Sequence, residues 1–523
     1  MTVKLKIAKA SFILIVASII GHILSLSKEV LITKYFGITK SMDALYSAIT
    51  IPTIIGVLII SPLYVIFIPI FIKYRLENKH EADKFASVVI NYILIISLIS
   101  NIFTFSFASQ IIRFVFGGLS PETSLLAIKI LKLFSLSLLF TGLIAAATSV
   151  LNSFQHFAGP AFSQMFITVN IILLVVFFSR KWDVFTIVWG TILGLTMQAL
   201  LLSFLTVKKG FKYHFNFKSK HPAIKEMLNF TAILVIIGVL SQCNLLISRI
   251  IASFLPSGSI AALSYADKLL QVPMIIFSGS ITTAIYPFFA LQVAENEIKE
   301  LKDTFASSIK MSGVIFIPLA VIMIIFAEPV IRILFERGAF NSQATSITSK
   351  ILICFSFQLL FNYALPIMTG LLFALQRFVD IIKVTVINII SVVLMSLLFI
   401  KLINPPVAGI ALSVSIGNLI SSIFYFVYIK KRITYVHGIS IFKSLSKIAL
   451  IAAISGFFMF VMFHKLDNII YYSIVNQVII IAITVFIGLL IFTGLAFLLK
   501  IEEIRKLYDV IKNKTILRPE IGR

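Results

Sequence analysis

Fourteen stretches of this chain are apolar over about 20 residues or more, the length an α-helix needs to cross the hydrocarbon of a bilayer. They fall at roughly 10–33, 43–72, 86–112, 124–151, 161–179, 184–207, 227–250, 259–290, 306–334, 345–375, 381–401, 406–429, 444–463 and 471–499. At about 22 residues each they occupy nearly 60% of the 523 residues, which agrees with a hydrophobic content of 59%. Only 13% of the residues are charged, about half the share of an ordinary soluble domain. These figures exclude a soluble multidomain enzyme and a disordered chain. They predict an all-α polytopic membrane protein.

The net charge of +24 comes from 45 Lys and Arg against 21 Asp and Glu. In a soluble protein such an excess would point to nucleic acid. In a polytopic protein the positive-inside bias accounts for it first. With the N-terminus inside, 30 basic residues fall on inner connections and 12 on outer ones, and Lys28, Arg249 and Lys268 fall in or beside spans. An even number of spans puts both termini in the cytoplasm, and the charge marks orientation and calls for no nucleic acid. No cleavable signal peptide is expected, because Met1–Ala10 runs into an apolar segment too long for one. Cys243 and Cys354 lie in apolar runs and read as small buried hydrophobes. The longest inner connection, Lys208–Glu226, is too short for a folded domain, and the amphipathic stretch Ile501–Lys512 fits either a helix on the inner leaflet or a solvated tail.

The chain resembles itself at a separation of about 220 residues. Arg113-Phe114-Val115-Phe116-Gly117 corresponds to Arg332-Ile333-Leu334-Phe335 at an offset of 219, and Asn170 to Asn388 at 218. Lys28 before Phe36-Gly37 corresponds to Arg249 before Ser257-Gly258 at 221, and Asp43 loosely to Asp267 at 224. Six spans per repeat is an even number, so both repeats enter the membrane from the same side and are parallel. The expected domains are a six-helix lobe at 1–215, a second at 216–435, two extra helices at 436–500, and a cytoplasmic tail at 501–523. Two like bundles around a central cavity suit alternating access.

Ionised groups in a bilayer usually face a wet cavity or one another. The first span carries Ser18, Gly21 or His22, Ser25, Lys28 and Glu29 at helical spacing. The second carries Asp43, Tyr46 or Ser47, Thr50 and Thr53. Span 7 shows Ser241, Asn244, Ser248 and Arg249, and span 8 shows Ser264, Asp267, Lys268 and Gln271. Three cations (Lys28, Arg249, Lys268) and three carboxylates (Glu29, Asp43, Asp267) would thus line the cavity. The cations suit an anionic head group such as a phosphate, with the carboxylates positioning them or pairing with them when the site is empty. The alternative is that Lys28, Arg249 and Asp43 snorkel from the outer ends of their spans. Adjacent residues on a helix point apart, so charge partners are expected from other spans. His22 also suits a packed histidine, and Asn170 and Asn388 suit interhelical hydrogen bonds. Pro52, Pro69, Pro273, Pro287 and Pro366 predict kinks. The sequence has no Walker A motif, no complete zinc-protease helix and no Gly-x-Ser-x-Gly, and two isolated cysteines make no metal site.

Several motifs resemble a known family. Lys34-Tyr35-Phe36-Gly37, Met42-Asp43-Ala44-Leu45, Pro52 and Phe67-Ile68-Pro69 are similar to the opening of the MurJ (MviN) family of lipid II flippases. That family belongs to the multidrug/oligosaccharidyl-lipid/polysaccharide exporter superfamily. Ile251 to Gly258, Ser264-Tyr265-Ala266-Asp267-Lys268-Leu269, Pro273 and Arg332 to Phe340 extend the likeness through the second half. The resemblance implies a V-shaped pair of six-helix lobes with a cationic cavity, and an apolar groove at spans 13 and 14 for a polyprenyl tail. Residue by residue, it places Lys28 and Glu29 where the family has arginine and aspartate. Asp43 and Asp267 match directly, and Lys268 stands at an arginine position. His22 and Gly56 replace arginines, and Gln271 replaces an acid.

The expected function is a bacterial inner-membrane flippase of a polyprenyl-pyrophosphate-linked saccharide, foremost the peptidoglycan precursor lipid II. It would work as a monomer, by alternating access, with no cofactor and no ATP, driven by an ion gradient or the membrane potential. The expected site is Lys28, Arg249, Lys268, Glu29, Asp43, Asp267, His22, Ser25, Ser248 and Gln271, and the expected partners are the undecaprenyl-pyrophosphate-linked saccharide and membrane lipids. The alternatives are a flippase of O-antigen or capsule precursors, and a drug or cation antiporter of the same superfamily, which usually has two fewer spans. A polytopic glycosyltransferase predicts a long outer loop that the sequence lacks.

Overall fold

The computed structural model describes residues 3–215, 222–433, 437–469, 473–499 and 501–504. Most of the Ile501–Lys512 stretch, and Lys218 and Lys220 of the long inner connection, lie outside the described residues. All regular structure among the described residues is helical. Fourteen helical segments are long and apolar enough to cross a membrane, some with single-turn breaks. The first seven are α1 (Val16–Phe36), α2 (Lys40–Ser61), α3 (Lys79–Ser106), α4 (Pro121–Ser153), α5 (Ala158–Trp182), α6 (Phe185–Lys208) and α7 (Val235–Ser253). The others are α8 (Ser259–Phe277), α9 (Ile298–Ile325), α10 (Ser342–Ala374), α11 (Phe378–Leu402), α12 (Pro406–Arg432), α13 (Gly438–Asp467) and α14 (Ile474–Leu498).

The sequence reading treats 43–72 and 259–290 as continuous spans, and the structure interrupts both. A π-helical turn, Leu63–Phe67, follows Pro62, and another, Met274–Ser278, follows Pro273. A proline lacks the N–H that would close an α-helical hydrogen bond four residues back, and the ladder regains register through a wider turn. The helices resume as Ile68–Glu77 and Gly279–Ala294. Other backbone features recur at the spacing of the sequence repeat. Gln155 and Gln376 both take a left-handed conformation at φ 56, and Gly37 and Gly258 do so at φ 56 and 90.

Packing divides the chain into two compact units, one of Met1–Ala262 with Arg337–Asn341, the other of Leu263–Glu336 with Ser342–Arg523. By sequence α7 opens the second repeat; by packing it lies in the first unit, along α2, where Gly238 faces Leu58.

In the first unit, Phe67, Phe71 and Phe85 are fully buried and stack at 5.4 and 5.5 Å between centroids. Without a hydrophobic drive between helices in lipid, close approach of backbones has to supply the packing energy. Gly190 and Gly194, four residues apart on α6, permit it against α5. A Cβ at Gly194 would lie 2.3 Å from the Ile167 Cα, and one at Gly190 would lie 2.7 Å from the Ile171 Cα.

In the second unit, hydrogen bonds tie three helices. Asn388 of α11 donates to Ser421 of α12 at 2.7 Å, and Asn418 of α12 donates to Gln358 of α10 at 3.0 Å. Asn388 therefore has the interhelical role expected of it. Asn170 likewise bonds across helices, donating to the Met197 Sδ of α6 at 3.4 Å as well as to Phe166 O on its own helix.

One substitution at two places separates close packing from helix propensity. Gly194→Ala is expected to destabilise the protein by about 1–3 kcal/mol, the usual cost of overpacking. At Gly494, where a Cβ meets nothing within 4 Å, the same change is expected to be neutral or stabilising. Thermal unfolding of the two variants in detergent checks the contrast.

Candidate functional site

The polar stripes of α1, α2 and α7 all lie in the first unit. Lys28 and Glu29 stand one turn before Thr33, whose hydroxyl donates to Glu29 O. The Lys28 ammonium is 2.9 Å from a Glu29 oxygen, with side chains 19% and 7% exposed. Adjacent residues on a helix were expected to find partners elsewhere. The four-carbon lysine stem lets the ammonium swing back to its neighbour, so this expectation fails for Lys28.

Arg249, near the end of α7, reaches α2. Its Nη1 donates to Tyr46 O at 3.0 Å and to Thr50 Oγ1 at 2.6 Å, and its guanidinium carbon lies 5.6 Å from the Tyr46 ring centroid. Thr50 in turn donates to Tyr46 O at 2.6 Å. The stripes on α2 and α7 therefore meet through one guanidinium nitrogen. Ser248, beside Arg249, is buried, while His22 and Ser25 are half-buried on α1.

Asp43 pairs with backbone rather than with a cation. It is 4% exposed, and its two oxygens accept from Gly258 N at 2.5 Å and from Ala261 N at 2.8 Å. Those N–H groups open α8, where a helix leaves its first donors without internal partners and favours negative charge. A glycine is needed at 258, since the backbone is left-handed there and a Cβ would sit 2.6 Å from Ile38 O.

The segment Arg337–Asn341 closes on the neighbouring turn. Ala339 N donates to Lys34 O at 2.8 Å, and a Cβ at Gly338 would lie 2.4 Å from that same oxygen. Three connections thus meet around Lys34–Ile38, Gly258 and Gly338.

The remaining candidates sit on α8 in the second unit. Gln271 donates to Asp267 at 2.6 Å, and the Lys268 ammonium is 6.0 Å from the centroid of the Tyr265 ring. Tyr265 is fully buried and packs against Phe335 at 5.9 Å. Asp267 and Lys268 are half-buried, and Gln271 is exposed.

The second unit also holds an apolar cavity of about 440 Å³. Val314, Pro318 and Ile322 of α9 line one wall, Leu489, Phe492 and Phe497 of α14 another, and Phe277 the end of α8. The hydroxyl of Thr493, also in the wall, is bonded to Leu489 O and Leu490 O. Sequence reasoning placed a tail groove at spans 13 and 14 by resemblance and missed the contribution of α9. That stripe carries no signal because the helix is apolar on every side from Val314 to Ile325. Tyr46, Thr50, Gly258 and Pro62 also carry more of the structure than their residue types suggested.

A family model described as "Lipid II flippase MurJ" matches residues 32–491. The chain belongs to the lipid II flippase MurJ family. The MurJ relative of Thermosipho africanus is 29% identical over 423 residues, 80% of this chain and 85% of the relative. A probable lipid II flippase MurJ from Rickettsia prowazekii is 26% identical over 501 residues, 94% of this chain and 98% of the relative. A solved structure of lipid II flippase MurJ in an inward closed conformation superposes with a TM-score of 0.77 at 27% identity, covering 93% of this chain and 99% of that one. An inward-facing MATE transporter of the MOP superfamily superposes at 0.68 with 14% identity, covering 79% of this chain and 94% of that one, a likeness of fold alone. The resemblance read from the motifs is therefore the correct one, and the fold is the fourteen-helix fold expected of a multi-pass MurJ protein of the bacterial inner membrane.

Asp43→Ala deprives two buried N–H groups of their acceptor. It is expected to cost about 1–3 kcal/mol of stability, against little for Ser25→Ala on the half-buried face of α1. Thermal unfolding in detergent measures both.

Proposed function

We propose that this chain moves lipid II across the bacterial inner membrane by alternating access. The observation that carries the reading is the placement of two cations, Lys28 and Arg249, on partly buried polar faces of otherwise apolar helices. Lys28 is held by Glu29, and a pyrophosphate would compete with that carboxylate for the ammonium. Arg249 donates to Tyr46 O and Thr50 Oγ1, which hold a second cation on the same polar faces. Lys268, with Asp267 and Gln271 beside it on α8, is a third cation of the set. His22, Ser25 and Ser248 would supply neutral hydrogen bonds to sugar or phosphate oxygens. The apolar cavity between α9 and α14 would take part of the polyprenyl tail.

In this reading both termini are cytoplasmic, as the basic inner connections require. The turn at Lys34–Ile38 and the start of α8 then lie on the outer side. Asp43 and the Arg337–Asn341 segment act there as a latch that must open to release the head group outward. Transport makes and breaks no covalent bond, needs no cofactor, and draws on the membrane potential or an ion gradient. A single chain carries both repeats and suffices as a monomer.

Expression of this gene in cells depleted of their own lipid II flippase is expected to restore growth. Lys28→Ala and Arg249→Ala are each expected to abolish rescue while leaving membrane insertion intact. Normal growth with both variants would contradict the cationic site. Failure of the well-inserted wild type would contradict lipid II as the substrate.

A further inference from the structure

The apolar cavity is lined at one end by the polypeptide that follows α14. The cavity runs along α14 from Leu489 to Phe497, about 12 Å at 1.5 Å per residue. Beyond Leu499 the chain turns back, with Ile501 N donating to Ala496 O at 3.0 Å. Ile501 and Ile504 are then buried, and Ile504 joins the cavity lining.

Two polar contacts hold this turn, and a third fixes the lysine that makes one of them. Glu503 lies 3.7 Å from the Lys310 ammonium of α9 and accepts from Ser444 of α13 at 3.2 Å. Lys310 also donates to Ser440 of α13 at 2.9 Å. The two charged side chains are only 15% and 11% exposed, so loss of either would leave a poorly solvated charge. Lys310 stands one helical turn before Val314, where the α9 wall of the cavity begins. The ion pair thus lies at this end of the cavity, next to Ile504 in the chain. Covering apolar surface would not by itself require a partly buried ion pair here.

We propose that Ile501–Ile504 is a stop, clamped by Lys310 and Glu503, that fixes how much of an apolar chain the cavity holds. The inference rests on the reading of this cavity as the place of the polyprenyl tail. Ile504 is the length-determining residue, and Lys310 and Glu503 are positioning residues that act through it.

The test uses the full-length protein in lipid nanodiscs and a series of probes: geranyl, farnesyl and geranylgeranyl phosphate. Wild-type affinity is expected to rise with each isoprene unit until the cavity is filled, and then to level off. Ile504→Trp should move that plateau to a shorter probe and weaken the longest one by about tenfold, as overpacking of a filled apolar site does. Ile504→Ala should move it to a longer probe. Lys310→Glu or Glu503→Lys alone should abolish the plateau, and the two together should restore it.

A wild-type plateau that neither Ile504 variant moves would overturn the stop and leave the tail site standing. A plateau that survives both single charge reversals would overturn the clamp. Wild-type affinity that does not change with chain length would overturn the tail site, and the stop with it.

Discussion

A polar or charged group surrounded by hydrocarbon must find a partner within the protein, and much of this molecule is arranged around that requirement. The buried Asp43 carboxylate finds its partners in the first N–H groups of α8. That single choice fixes where α2 meets α8, requires a left-handed glycine at 258, and helps bring the start of α8 into the first compact unit. Arg249 meets the same requirement with a carbonyl and a hydroxyl of α2, and Lys28 with Glu29. For Asp43 and Arg249 the group that meets the charge also ties one helix to another, so electrostatics and architecture are not separable there.

The number and type of elements were legible because each span needs only a run of apolar residues, and the basic loops give such runs an orientation. The motifs around Asp43, Tyr265 to Lys268, and Arg332 to Phe340 were enough to reach the family. The breaks at Pro62 and Pro273 were only half legible. Pro273 was recognised as a kink, but Pro62 lies among residues as apolar as their neighbours and was passed over. The partners of the charges were not legible at all. A sequence shows Asp43 as a carboxylate on a polar stripe, and backbone donors some 215 residues away leave no mark of their own. Lys28 and Glu29 defeated the helix-geometry rule because flexible stems let adjacent side chains meet.

The two chemistries of a lipid-linked saccharide have separate homes in this reading. The cations and hydroxyls of α1, α2 and α7 suit a phosphorylated head. The cavity walled by α9 and α14 is apolar, with its one lining hydroxyl turned back onto the helix backbone. Ile504 lines one end, beside the partly buried pair of Lys310 and Glu503. A transporter that carries an anion tethered to a long hydrocarbon has to solvate one and shield the other throughout, and helices that are polar only on one face supply the first without disturbing the second.

The most direct test of alternating access through the latch is a reversible lock. Lys34→Cys and Ala339→Cys, with Cys243→Ala and Cys354→Ala to remove the native thiols, put a cysteine pair across the contact where Ala339 N meets Lys34 O. Reconstituted in liposomes with lipid II in one leaflet, the oxidised protein is expected to leave the lipid inaccessible to an impermeant enzyme on the opposite side. Reduction should restore its appearance there. Equal rates before and after reduction, with the disulfide shown to form, would contradict the requirement that this latch open during transport.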